Sequence, residues 1–222
     1  MGAVRVSQSS GVVGVYDIVG QYSLTASGFV RHCALSLASQ AFAAGDLLAI
    51  PYVDMGPPLS DPKDAQSKSV QIVGGIKLTV DERARMKLFV DELWNEYQDA
   101  GVSPLAQYCI HPHVDESTAE PAVRRYSCVG FVYEAYLDAD IELVNVNNLP
   151  DVSVDLLVLA YPDQESALRR ARVRTKFNLA GNGPWPVMLP GYVFHAADRD
   201  PTLCRLTPHQ AIGGHECFPT KS

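Results

Sequence analysis

The apolar residues of this chain change period near position 78, and that change limits the architectures open to it. Before it, they gather in short β-branched or apolar runs at 12–19, 29–38 (FVRHCALSLA), 46–53 and 70–76. Small and turn-forming stretches bound these runs (SQAFAAG, GPPLSDPKDAQSKS), so they read as strands, with 29–38 and 46–53 as a hairpin. After it, Met86, Phe89, Val90, Leu93, Trp94 and Tyr97 recur at helical spacing. Thr79 with Glu82 three residues on forms a capping box that starts this helix, and Gly101 ends it. Further helices are expected at 126–139, 152–160 and 164–174, then a late strand at 187–194 and a loop-like tail from 196. Strands first, helices later and a closing strand imply an α+β fold in one domain, with its core at about 12–145 plus the late strand.

Hydrophobic residues make up 47% of the 222, enough to bury a core without disulfide staples. Eighteen basic against twenty-five acidic residues give a net charge of −7, the wrong sign for general nucleic-acid binding. The five cysteines, at 33, 109, 128, 204 and 217, form no CxxC pair, so neither a zinc ribbon nor a secreted disulfide framework is expected. The first residues lack the basic start and unbroken apolar stretch of a signal peptide, and Val6 stands where a myristoylation motif has Ser or Thr. No apolar run approaches the roughly 18 residues of a membrane span. A cytoplasmic, reducing setting with no integral membrane segment is the expectation.

The stretch Tyr126-Ser127-Cys128-Val129-Gly130-Phe131-Val132-Tyr133-Glu134-Ala135-Tyr136 places a cysteine in the first turn of an amphipathic helix. Free N–H groups and the positive end of the helix dipole converge there and favour thiolate over thiol. Gly130 leaves room for close approach of a backbone or substrate. A thiol nucleophile also needs a base within hydrogen-bond reach, and that base needs an orienting group. Six histidines are available.

SCVGFVYEAY resembles the nucleophile helix of the NlpC-type cysteine peptidases of the papain-like superfamily, whose pattern is Asp-Cys-Ser-Gly-Phe-Val. Cys128, Gly130, Phe131 and Val132 match; Ser127 and Val129 depart. In the ordinary order of that family the histidine follows the cysteine on a strand, which His195 permits. His32, in Val30-Arg31-His32-Cys33-Ala34-Leu35, opens a strand similar to the family's His-Val-Gly-Ile-Tyr-Leu and precedes the cysteine. That order matches the circularly permuted branch, which includes the YiiX-like and lecithin:retinol acyltransferase-like proteins. Tyr16-Asp17-Ile18-Val19 resembles its Gly-Asp-Ile strand start, with Tyr16 in place of Gly. The resemblance implies a permuted papain-like fold, an antiparallel sheet against the cysteine helix, with Cys128 as nucleophile and His32 favoured over His195 as base.

No residue matches the family's third catalytic member by motif. If the hairpin turn centres near residue 42 or 43, His32 lies opposite 52–54, and Tyr52 and Asp54 share one face. Asp54 is therefore the geometric choice to orient the imidazole. The same alternation sends the Cys33 side chain to the opposite face, away from the imidazole.

The expected function is a cysteine-nucleophile hydrolase or acyltransferase acting on a small peptide, amide or lipid ester through an acyl-enzyme, with no metal or organic cofactor. A non-catalytic binding protein that keeps the fold is the alternative. His111-Pro112-His113 with Cys109 and Asp115 reads as a loop and not a metal site, because no second ligand pair accompanies it. Arg169, Arg170, Arg172 and Arg174 read as a solvated face, and His209 and His215 as surface residues.

Overall fold

The computed structural model describes residues 2–23, 28–56, 58–110, 115–116, 120–214 and 216–218. His111, Pro112, His113 and His215 lie outside the described residues.

Eight strands occupy the first third: β1 (Ala3–Arg5), β2 (Gly11–Val13), β3 (Ile18–Tyr22), β4 (Val30–Ser36), β5 (Gln40–Phe42), β6 (Leu48–Val53), β7 (Ser67–Val70) and β8 (Ile72–Gly74). Six of them form an antiparallel sheet in the order β1-β8-β3-β4-β6-β7, and β2 pairs separately with β5. Seven helices follow among the described residues: α1 (Val80–Ala100), α2 (Cys128–Asp138), α3 (Val154–Ala160), α4 (Glu165–Leu168), α5 (Ala171–Arg174), α6 (Pro190–Ala197) and α7 (Pro201–Leu206). The fold is α+β, and no helix among the described residues is long and apolar enough to cross a membrane.

Period-two alternation gives the sheet two apolar faces. Ile18, Cys33, Leu35 and Ile72 join a large core with α1, α2 and α6. Their chain neighbours Val19, Ala34 and Val73 join a smaller core with Ile50, Tyr52 and Val70, closed by Val13 of β2 and Phe42 of β5. Helix α6 lies close on the first face because the sheet thins beneath it. A Cβ on Gly20 would stand 2.7 Å from Phe194 and 2.5 Å from the His32 carbonyl oxygen.

Helix α1 begins and ends as its sequence dictates. Thr79 is the N-cap of a complete capping box with Glu82, and Gly101 closes the helix in the left-handed conformation at φ 59°. The β4–β6 pairing is real, but Leu35 faces Val53, so Asp54 comes level with Ala34, two residues from the expected register. A shift of two keeps every side chain on its expected face.

Four expectations need correction. Residues 187–194 are not a strand: Trp185–Pro186 makes a two-residue strand, and Pro190 opens helix α6. The run Val187–Phe194 is apolar throughout, so it carries no period to separate a buried helix from a strand. Proline at the first helical position was the usable signal. The single helix expected at 164–174 is broken into α4 and α5. Arg174 is buried rather than solvated, donating to the carbonyls of Leu168 at 2.9 Å and Gly181 at 3.2 Å. The tail from 196 is not merely loop: it carries α7, buries Cys204, Ala211 and Phe218, and bridges Phe29 through Cys217.

Candidate active site

Helix α2 starts at Cys128 because Ser127 caps it. Its Oγ accepts from the Gly130 amide at 3.1 Å. The cap fixes the first turn, and the Cys128 and Val129 amides precede the first intrahelical bond, Phe131 N–H to the Ser127 carbonyl at 2.9 Å. The helix packs its apolar side against β4, which brings the Cys128 sulfur beside His32 and Cys33.

The pairing of β4 with β6 covers only Leu35↔Val53 and Ser36↔Tyr52 before β6 diverges. Backbone N–H groups of an antiparallel strand alternate between its two neighbours. Leu37 N–H points toward β6, bonding the Pro51 carbonyl at 2.8 Å, whereas Ser36 N–H points the other way, to Asp17. Cys33 N–H therefore points toward the side that β6 has left, where its dipole favours negative charge on the Cys128 sulfur. The Cys33 thiol likewise favours the charged form of Cys128. The alternation expected of β4 holds: Cys33 faces the helix layer, and His32 meets Tyr52 of the opposite face.

His32 is held from the other side. Its Nε2 lies 2.9 Å from Asp54 Oδ2, and Asp54 Oδ1 lies 3.2 Å from Lys68 Nζ. Asp54 follows β6 directly and is fixed by the turn beyond it, its amide donating to Ser60 Oγ at 2.9 Å and its carbonyl accepting from the Ser60 amide at 3.0 Å. With Nε2 engaged by Asp54, Nδ1 is the nitrogen left to face the Cys128 sulfur, whose charge favours the imidazolium.

The charges follow from these contacts. Cys33, then His32 and its charge, hold the Cys128 thiol well below its ordinary range against the opposing effect of burial. Burial opposes the imidazolium too, yet its bond to Asp54 and the influence of Cys128 raise His32 to about 9. Burial raises Asp54 as well, but the bond and charge of His32, with help from Ser60 and Lys68, bring it down to about 2. Cys33, raised well above the thiol range chiefly by burial, stays neutral. Carboxylate, imidazolium and thiolate are thus the mutually favoured states.

Cys128 and His32 share a cleft of about 200 Å³ whose walls include Gln21, Arg31, Tyr108 and Tyr161. His195 is elsewhere, on α6, with Nε2 2.7 Å from the Cys217 carbonyl and its ring against Phe218. Cys109 is buried, its thiol 3.9 Å from the Phe177 carbonyl. Among the described residues no group of three or more His, Cys, Asp and Glu side chains is placed to hold a metal ion. The sequence reading missed Cys33 as an influence on the Cys128 thiol and Arg31 as a wall of the cleft. Both depend on where β6 leaves β4 and on the register slip in β3–β4, which no local motif marks.

No family model matches the chain, and neither the curated proteins nor the solved structures compared with it gave a match.

Proposed function

We propose that this chain is a cysteine-nucleophile hydrolase or acyltransferase with a permuted papain-like order of catalytic elements, acting on an amide or ester. The observation that carries the reading is the continuous chain Asp54–His32–Cys128 opening into one cleft, with the thiol lowered and the imidazole raised. A structural cysteine in an apolar core would be raised by burial and inert. Here the influence of the neighbouring Cys33 and His32 outweighs burial and favours the thiolate.

The chemistry runs in two halves. Cys128 thiolate attacks the substrate carbonyl carbon, forming a C–S bond and an oxyanion. The Cys128 amide at the helix start stabilises that oxyanion. The intermediate collapses as the C–N or C–O bond breaks, and the His32 imidazolium passes its proton to the departing amine or alcohol. The neutral imidazole then takes a proton from water, or from an acceptor amine or alcohol, as its oxygen or nitrogen attacks the thioester. Thiolate leaves, and the imidazolium is restored. Asp54 keeps the imidazole oriented and stabilises its charged form. A reducing compartment suits this site, since Cys33 and Cys128 must both stay unoxidised.

A p-nitrophenyl acetate burst tests the reading. Wild type should release nitrophenolate in a burst and gain one acetyl group on Cys128 by intact mass and peptide mapping. Cys128→Ser should lose the burst, and His32→Ala should slow it by about a hundredfold or more. Acetylation spread over other side chains, with no burst, would support the binding-protein alternative instead.

A further inference from the structure

Arg31 immediately precedes His32 on β4 and occupies the position that the β3–β4 register skips. Gln21 faces His32, Tyr22 faces Val30, and Arg31 has no opposite number. A bulged residue is re-aimed relative to the pleat, and Arg31 lines the cleft that holds Cys128 and His32.

Its guanidinium is anchored on one side only. Nη2 donates to Gln21 Oε1 at 2.9 Å, and Gln21 is itself held through Nε2 to the Ser69 carbonyl at 3.0 Å. Nε of Arg31 is buried, and no described residue accepts a hydrogen bond from it. Of the twelve arginines, Arg85, Arg124, Arg169 and Arg205 each pair with a carboxylate, and Arg31 is among those that enter no ion pair among the described residues. Of the carboxylates around the cleft, Asp54 serves His32 and Lys68, and Asp163, which lines the same cleft, makes no ion pair with Arg31. A buried guanidinium N–H without an acceptor is costly, and a guanidinium lining a cleft is the side chain best matched to a carboxylate.

We propose that Arg31 is the binding residue for a substrate carboxylate, so that the site takes amides or esters bearing a free carboxylate close to the scissile carbonyl. The inference rests on the proposed cysteine chemistry and names its substrate class. The adjacency of Arg31 to His32 in the chain sets the anion beside the reacting carbonyl. The net charge of −7 makes the protein's general field unfavourable to anions, so a local cation at the cleft is what would admit an anionic substrate. A phosphate would ordinarily draw several cations or a nest of amides; this wall offers one guanidinium, with a neutral glutamine beside it.

Two alkylating agents of similar size, iodoacetate and iodoacetamide, differ in the carboxylate and test the proposal directly. The quantity read is the ratio of their rates at Cys128, located by peptide mapping at about pH 7, in wild type against Arg31→Gln and Arg31→Lys. Comparing the proteins cancels the intrinsic reactivities of the reagents and the pull of the His32 charge. The ratio should fall about tenfold in Arg31→Gln, the worth of a charge-assisted hydrogen bond, and less in Arg31→Lys. An unchanged ratio in Arg31→Gln overturns the proposal. Because that variant disturbs the strand carrying His32, a second arm uses wild type alone. N-acetylglycine should protect Cys128 from iodoacetamide where N-acetylglycinamide at equal concentration does not, and equal protection overturns the proposal. Protection by inorganic phosphate as strong as that by N-acetylglycine overturns the carboxylate assignment. Failure of the cysteine chemistry is distinguishable: Cys128 would then react with iodoacetamide as an ordinary thiol, whatever the ratio does.

Discussion

Cys33 and Cys128 carry the same functional group in opposite states. Burial alone would raise both thiols, and it does raise Cys33. Cys128 departs because Cys33, first of all, and then His32 favour negative charge on its sulfur. The division of labour predicts the effect of losing the Cys33 thiol. Cys33→Ala should raise the Cys128 pKa and slow its alkylation at about pH 6 by roughly tenfold, the worth of one hydrogen bond to a charged group. The two proteins should converge at alkaline pH, where the thiolate forms without help. Cys33→Ser, which restores a donor, should recover most of the rate at about pH 6. Equal rates for wild type and Cys33→Ala across the pH range would mean that Cys33 merely packs.

The start of α1 is tied to a helix more than a hundred residues away. Glu82 Oε2 accepts from the Thr79 amide at 2.6 Å and from Arg205 Nη2 of α7 at 2.9 Å, and these contacts lower its carboxyl from 4.5 to about 2. A carboxylate with a depressed folded pKa adds stability above its unfolded pKa and loses it as pH falls through the folded value. Glu82→Gln should therefore cost about 1–3 kcal/mol of unfolding free energy at about pH 7. The gap from wild type should close between pH 4.5 and about 2, as measured by denaturant titration. A gap independent of pH would show that shape rather than charge matters at this cap. Elements with such local signals were legible in the sequence: the Thr79–Glu82 box marks α1, and the Ser-Cys junction with its apolar stripe marks α2. The His32 and Asp54 pairing was legible as well, because a register error of two preserves the face. Helix α6 was not legible from periodicity, because a run apolar on every side has no phase and only Pro190 marks its start; the broken α4–α5 segment was not, because the burial of Arg174 is decided by distant carbonyls.

Across the whole molecule the candidate site is an assembly of distant pieces. His32 and Cys33 come from β4, Asp54 from the exit of β6, Cys128 from the tip of α2, and Tyr161 from the segment after α3. Nothing local brings them together. The two-faced sheet does so, buttressed on one side by α1, α2 and α6 and on the other by β2 and β5. This is why residue types and their order along the chain were enough to nominate Cys128, His32 and Asp54, while the contribution of Cys33 and the cleft position of Arg31 needed the strand splay and the register slip. The central claim is that folding sets Cys128 and His32 into a thiolate–imidazolium pair, and the pH dependence of iodoacetamide alkylation at Cys128 reads that pair directly. The rate should climb at a pH well below that of an ordinary thiol, stay level through neutrality, and change again as the imidazolium loses its proton at about 9. A single rise centred at about 8.5, with no plateau beneath it, is the behaviour of a free cysteine and would contradict the account.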